Sequence, residues 1–167
     1  MHVQKFNSPN FQTSWQTLWE NSCSQHPYYL PKTLEWFLEF SPSGKLVENF
    51  SFIIEENGIS VLGVMMFLHK NEQNKYNFSC ADKPVLYLEN ENIEDWYFKE
   101  AYKIFNEQLN TILKKYPSNS IVYWDYLINN TLSYFGKYLL NNSAQATPYF
   151  TIILELDRSE TVLRKNI

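Results

Sequence analysis

The sequence predicts an α/β fold of mixed α+β character, with a mixed sheet and helices on both of its faces. Three observations carry that expectation. Asn57-Gly58 stands between two apolar, β-branched runs, the pair favoured by a type I′ hairpin turn, which needs positive φ at both central positions. Ile93, Tyr97, Ala101, Ile104, Phe105, Leu109, Ile112 and Tyr116 fall on one helical stripe. Downstream of that stripe, strand-like and helix-like segments alternate, which implies parallel crossovers after an antiparallel first half.

The elements follow in order. Phe11, Trp15, Leu18 and Trp19 repeat at helical spacing behind the polar starters Asn10 and Thr13, and His26-Pro27 ends that helix. A second short helix follows Pro31, with Leu34, Phe37 and Leu38 on one face, and 41–44 stops it. Phe50 to Glu56 reads as a strand and Ile59 to Lys70 as its return across Asn57-Gly58. Asn71 to Asn74 is a polar turn. A third strand lies between Lys75 and Leu88, best marked over Pro84 to Leu88, which completes an antiparallel meander. The long helix comes next, with Asn92, Glu94 and Asp95 suited to its positive end. Ser120 to Tyr126 is a buried-type strand, and Ile128 to Leu140 a helix with Ile128, Leu132, Phe135 and Leu139 inward. Pro148 to Asp157 reads as a strand. Asp157 and Glu160 form a capping-box pattern, and the helix they open runs to Ile167. After the meander the expected order is therefore helix, strand, helix, strand. No repeat, linker or low-complexity tract divides the chain, so residues 1–167 are expected to form one domain. With no C-cap glycine or proline at its end, it reads as the front part of a longer protein.

Composition excludes several classes. At 44% hydrophobic and 17% aromatic, the chain of 167 residues can bury a core and does not read as disordered. Its tyrosines and phenylalanines fit a core built from rings, and the alternative use is an aromatic groove for a sugar or peptide. A net charge of −4 without a basic stripe argues against DNA as a partner. Cys23, Cys80, His2, His26 and His69 make no metal-ligand spacing. Two thiols without a partner motif and a polar N-terminal stretch suggest a cytoplasmic protein. The longest apolar run, Ile59 to Leu68, is too short to span a bilayer.

Some local stretches resemble a known family. Trp15-Gln-Thr-Leu-Trp-Glu-Asn-Ser22, Tyr28-Tyr-Leu30 and Thr33-Leu-Glu-Trp-Phe-Leu38 are similar to the opening of Fem-type (FemAB-like) acyl- and aminoacyltransferases. Phe52 to Val64 is similar to their next hairpin, and Tyr149 to Asn166 to the passage into their second half. These proteins are built from two GNAT-like halves. The resemblance implies a GNAT-like fold and transfer of an N-acyl or aminoacyl group to an amine on a cell-envelope or glycan precursor. It makes this chain the first, non-donor-binding half, inactive alone, with the C-terminal half of the same protein as its partner. Acyl-CoA or aminoacyl-tRNA would then be the donor, held by the other half. Self-association through an exposed C-terminal region is expected of the isolated chain. One departure bears on the donor. GNAT enzymes carry a Q/R-x-x-G-x-G/A loop between the third meander strand and the long helix, where backbone N–H groups cradle pyrophosphate. Here Leu86 to Asp95 has no glycine and four acidic residues, Glu89, Glu91, Glu94 and Asp95. No cofactor is expected in this chain.

Candidate substrate contacts are sparse. Tyr123, Asp125 and Tyr126 end the predicted central strand, where ligands of open α/β sheets gather. They are candidates to orient an acceptor amine, and the plainer role for Asp125 is to cap the next helix or bond local backbone. His69 ends the return strand, as a general base or as a plain histidine in a polar turn. The acidic run could bind a cation or an amine, and complementing the helix dipole explains it more simply. No nucleophilic triad is visible, and the catalytic residues stay unassigned. The alternative to a transferase half is a stand-alone binding or scaffold module with a GNAT-like shell.

Overall fold

The computed structural model describes residues 1–23, 26–39, 45–73, 75–80, 83–118, 120–125, 132–142 and 144–147. Strand β1 (His2–Lys5) leads to helix α1 (Phe11–Glu20), a 3-10 turn (Pro27–Tyr29) and helix α2 (Pro31–Glu39). Strands β2 (Lys45–Asn49), β3 (Phe52–Glu56), β4 (Ile59–Met65), β5 (Phe67–Lys70), β6 (Tyr76–Ser79) and β7 (Leu86–Glu89) follow. Helices α3 (Asp95–Lys115) and α4 (Tyr134–Asn141) complete the described elements. The protein is α+β: one four-stranded sheet in the order β1-β3-β4-β7, one three-stranded sheet in the order β2-β5-β6, and helices packed around them.

The expected meander is present, but it is creased. Glu56 pairs with Ile59 across Asn57 and Gly58, whose φ values of 51° and 79° are the positive pair a two-residue turn requires. The return strand does not run unbroken to Lys70. It passes from one sheet to the other at Met66, opposite a matching break at Phe50–Ser51. The Met66 N–H donates to Ser51 Oγ at 3.0 Å, and the Phe50 N–H to the Met66 carbonyl at 2.8 Å. Asn49 Oδ1 accepts from the Ser51 N–H at 2.9 Å. Side-chain hydroxyl and amide thus satisfy backbone groups that a straight ladder would have paired. The third strand splits likewise, with β6 on β5 and β7 on β4.

Period-two alternation sorts the four-stranded sheet into two faces. Phe52, Ile54, Leu62, Val64 and Tyr87 meet α3 and Phe135 of α4. Ile53, Met65, Leu86 and Leu88 meet Phe11, Trp15 and Leu18 of α1. The expected stripe of α3 faces the core, with Ala101, Phe105 and Ile112 buried and Ile93, Tyr97, Ile104, Leu109 and Tyr116 partly buried against it; Phe98 and Tyr102, outside that stripe, are buried as well. Its ends carry Asp95 in the first turn and Lys114 and Lys115 in the last, each complementing the helix dipole.

Three expectations need correction. The sheet was expected to be mixed, yet among the described residues every pair of named strands is antiparallel. Ser120 to Tyr126 is not a strand over its described residues. It touches the sheet at one parallel bridge, Val85 with Tyr123, through Val85 N–H to the Val122 carbonyl (2.8 Å) and Trp124 N–H to the Val85 carbonyl (3.1 Å). On one side the next residue facing that segment, Lys83, already exchanges its N–H and carbonyl with Cys80 (3.0 and 2.9 Å). On the other side the Asp125 side chain accepts a hydrogen bond from Ser133, just before α4. Helix α4 begins at Tyr134, not near Ile128, because Ser133 caps it: its Oγ accepts from the Gly136 N–H at 2.8 Å. Strands β1 and β2 were not foreseen. The apolar face assigned to Leu34, Phe37 and Leu38, the residues Tyr126 and Ile128, and the whole segment 148–167 lie outside the described side chains and residues. Among the described residues no helix is long and apolar enough to cross a membrane.

Candidate functional site

Strand β7 ends in an acid that the sheet pattern turns inward. Tyr87 and Glu89 share one face, two residues apart, and Glu89 is 4% exposed. The Tyr102 hydroxyl on α3 donates to Glu89 Oε1 at 2.6 Å, whereas Oε2 has no close hydrogen-bond partner among the described residues. Burial raises the Glu89 pKa from the ordinary 4.5 to about 7. The Tyr102 hydrogen bond and the backbone N–H groups of Phe135 and Tyr134 at the start of α4 oppose the rise, and the Asp125 charge adds to it. The Tyr102 hydroxyl is pushed far above its usual range by burial and then by Glu89, so it stays a phenol that donates.

A second polar chain lies beside the first. Ser133 Oγ donates to Asp125 Oδ2 at 3.1 Å and shares a 2.9 Å hydrogen bond with the Tyr87 hydroxyl. Burial, and after it the Asp125 charge, lifts the Tyr87 pKa well out of the physiological range. The N-cap of α4 is therefore braced by an acid and a phenol from two other segments. Gly136 makes the brace fit, since a Cβ there would fall on Asp125 Oδ2. Gly136→Ala is expected to push Asp125 off Ser133 and to destabilise the protein by about 1–3 kcal/mol in a urea titration, the range of an overpacked site. An unchanged midpoint would show that the Asp125 carboxylate moves aside freely.

Between α3 and α4 lies an open cleft of about 300 Å³ lined by Asp95, Phe98, Lys99, Tyr102, Tyr134 and Tyr138. Its rings stack side by side: Tyr134 on Phe98 at 5.0 Å and Tyr102 on Tyr138 at 4.4 Å. Tyr102 is thus both a wall of the cleft and the donor to Glu89.

The structure brings together only some of the residues picked from sequence. Tyr123 and Asp125 sit on the short parallel segment. The Tyr123 ring packs edge-on against Phe105 and Phe135, and its buried hydroxyl, with no close hydrogen-bond partner among the described residues, has its pKa raised by burial. Asp125 faces Ser133, close to the plain capping role. Tyr126 lies outside the described residues. His69 is not at a polar turn. It is fully buried on β5 in the other sheet, edge-on to Phe67 at 6.2 Å, because its side chain falls on the inward phase of that strand. Tyr102, Tyr87 and Ser133 were missed as site residues, and Glu89 was read only as one member of the acidic run. The alternation Leu86-Tyr-Leu-Glu89 was the available signal, since it places Glu89 in phase with Tyr87. Among the described residues, no three His, Cys, Asp or Glu side chains gather as a metal site. Comparison with protein-family models, with curated proteins and with solved structures finds no match to this chain.

Proposed function

We propose that this chain is the acceptor-side, non-donor-binding half of a Fem-type N-acyl or aminoacyl transferase that acts on an amine of a cell-envelope or glycan precursor. The observation that carries the reading is the succession of antiparallel meander β3-β4-β7, long helix α3, a segment parallel to the start of β7, and α4. That succession supports the reading, because the GNAT-like halves that the sequence resembles are expected to run meander, helix, strand, helix.

The junction from β7 into α3 supports the assignment to the half without a donor. Leu86 to Asp95 has no glycine to let the backbone close on a diphosphate. Glu89 is buried behind it, and Glu91 and Glu94 are exposed on it. A diphosphate would meet like charge in place of a nest of N–H groups. Transfer itself is attack of a neutral amine on an ester or thioester carbonyl, which needs a held donor, a proton acceptor and an oxyanion stabiliser. In this reading the donor and its oxyanion contacts come from the second half. Asp125, with Tyr123 and its neighbour in sequence Tyr126, is proposed to contribute acceptor contacts, and His69, sealed in the other sheet, is withdrawn from that role.

Calorimetric titration of the 167-residue chain with acetyl-CoA is expected to give no binding heat. In the same chain, amine-bearing nucleotide sugars are expected to raise the melting temperature. Micromolar binding of acetyl-CoA overturns the assignment. A second reading, a stand-alone binding module, draws on the ring-lined α3–α4 cleft, which needs no transfer partner. It takes the lead if nucleotide sugars leave the chain unchanged.

A further inference from the structure

We propose that Glu89 makes the start of α4 a pH-sensitive gate: while it carries its proton, the end of β7, Tyr102 of α3 and the start of α4 close over it, and its ionisation favours release of α4 and entry of water. The proposal stands on the geometry around one carboxyl and holds whether or not the chain takes part in acyl transfer.

Glu89 is 4% exposed, and one of its two oxygens has no close hydrogen-bond partner among the described residues. A buried carboxylate is tolerated when both oxygens are well satisfied and a cation stands by. Here Tyr102 supplies one hydroxyl donor at 2.6 Å. The groups that face Glu89 are Tyr87 on its own strand, Tyr102 from α3, Asp125 from the parallel segment, and Tyr134 and Phe135 from α4. The side chains among them are acids, phenols or a hydrocarbon ring. The Tyr102 hydroxyl and, after it, the α4 N–H groups are the hydrogen-bond donors in that set, and together they offset only part of the burial penalty. No lysine or arginine belongs to it.

The sign follows from linkage. Closed, Glu89 titrates at about 7. Opened to water, it returns towards the ordinary 4.5. Below both values the acid is protonated in either state and the gate is closed. As pH rises through the open-state value the open form ionises first and gains on the closed one, up to the closed-state value and no further. The element that yields is α4. It has 8 residues, too few to hold itself helical, so its start stays in place through Ser133, Phe135 and the Glu89 contact.

Native-state hydrogen exchange on the 167-residue chain tests this. Between about pH 5 and about pH 8, the protection of the Gly136 and Lys137 amides, corrected for intrinsic exchange, is expected to fall by up to a hundredfold or so. Protection of Ile53 and Leu62 in the central hairpin is expected to hold. The side-chain carboxyl carbon of Glu89 is expected to titrate near neutrality. Glu89→Gln flattens the α4 profile. Should that variant fail to fold, Asp125→Asn keeps the test, because removing the neighbouring charge moves the midpoint to lower pH. Protection at α4 that is independent of pH, a fall shared equally by the hairpin, or a Glu89 carboxyl titrating below about pH 5 overturns the proposal.

Discussion

Trp15→Ala is expected to destabilise the protein by about 4 kcal/mol, the middle of the range for deleting a large buried ring. Trp15 is fully buried on α1, stacked on Phe11 at 6.0 Å, and its indole N–H donates to the Tyr29 carbonyl at 2.6 Å. The variant loses the ring and its hydrogen bond to Tyr29, and opens a cavity. The sheet meets this ring at Gly63. A Cβ on Gly63 would lie 2.7 Å from both Trp15 Cζ3 and Leu18 Cδ2, so α1 packs where β4 has no side chain. Gly63→Val should therefore cost about 2–3 kcal/mol by overpacking. The pair should not be additive. With the indole gone, the valine occupies part of the vacated space, and Trp15→Ala/Gly63→Val should be more stable than the sum of the single effects allows. Urea midpoints of the four proteins measure the coupling, and strict additivity would contradict the packing described for this face.

On the opposite face, Phe135→Ala is expected to cost about 3–5 kcal/mol and to detach α4 first. Phe135 is fully buried and sits among Tyr87 at 4.5 Å, Phe105 at 4.9 Å, Tyr102 at 5.6 Å and Tyr123 at 5.8 Å. It therefore ties α4 to the sheet, to α3 and to the parallel segment at once. Nearby Leu139 packs on the same cluster but is only partly buried. Leu139→Ala should cost clearly less, by about half or more. Equal losses for the two variants would mean that the helix as a whole, and not this ring, holds the contact.

These two faces differ in how far they could be read in advance. The α1 stripe of Phe11, Trp15 and Leu18 was visible because each residue repeats at local helical spacing. The hairpin was visible because Asn57-Gly58 specifies its turn from within. Strand β1 was hidden: four residues of mixed polarity become a strand only because β3, some fifty positions away, offers its edge. The crease at Ser51 and Met66 was hidden for the same reason, since either residue alone looks like an ordinary strand position. At the candidate site, Asp125 was named, and it accepts from Ser133, the group that caps α4. Glu89 was grouped with the exposed acids that follow it. What separates Glu89 from Glu91 is the cover supplied by Tyr102 and by α4, and no neighbour in sequence announces that cover. His69 failed in the opposite sense, because its inward phase on β5 depends on a sheet whose other strands were not foreseen.

The crease has a mechanical meaning. Both sheets are made from the same covalent strands, with β2 and β3 forming one limb of a ribbon and β4 and β5 the other. Separate sheets joined by loops can part like two pages. Two sheets folded from one strip cannot, because prying one away bends the strip against the other. The line from Ser51 to Met66 thus acts as a stiff fold in a single sheet of material, and a load applied at the outer edge of the three-stranded sheet is carried by backbone into the layer that holds Glu89.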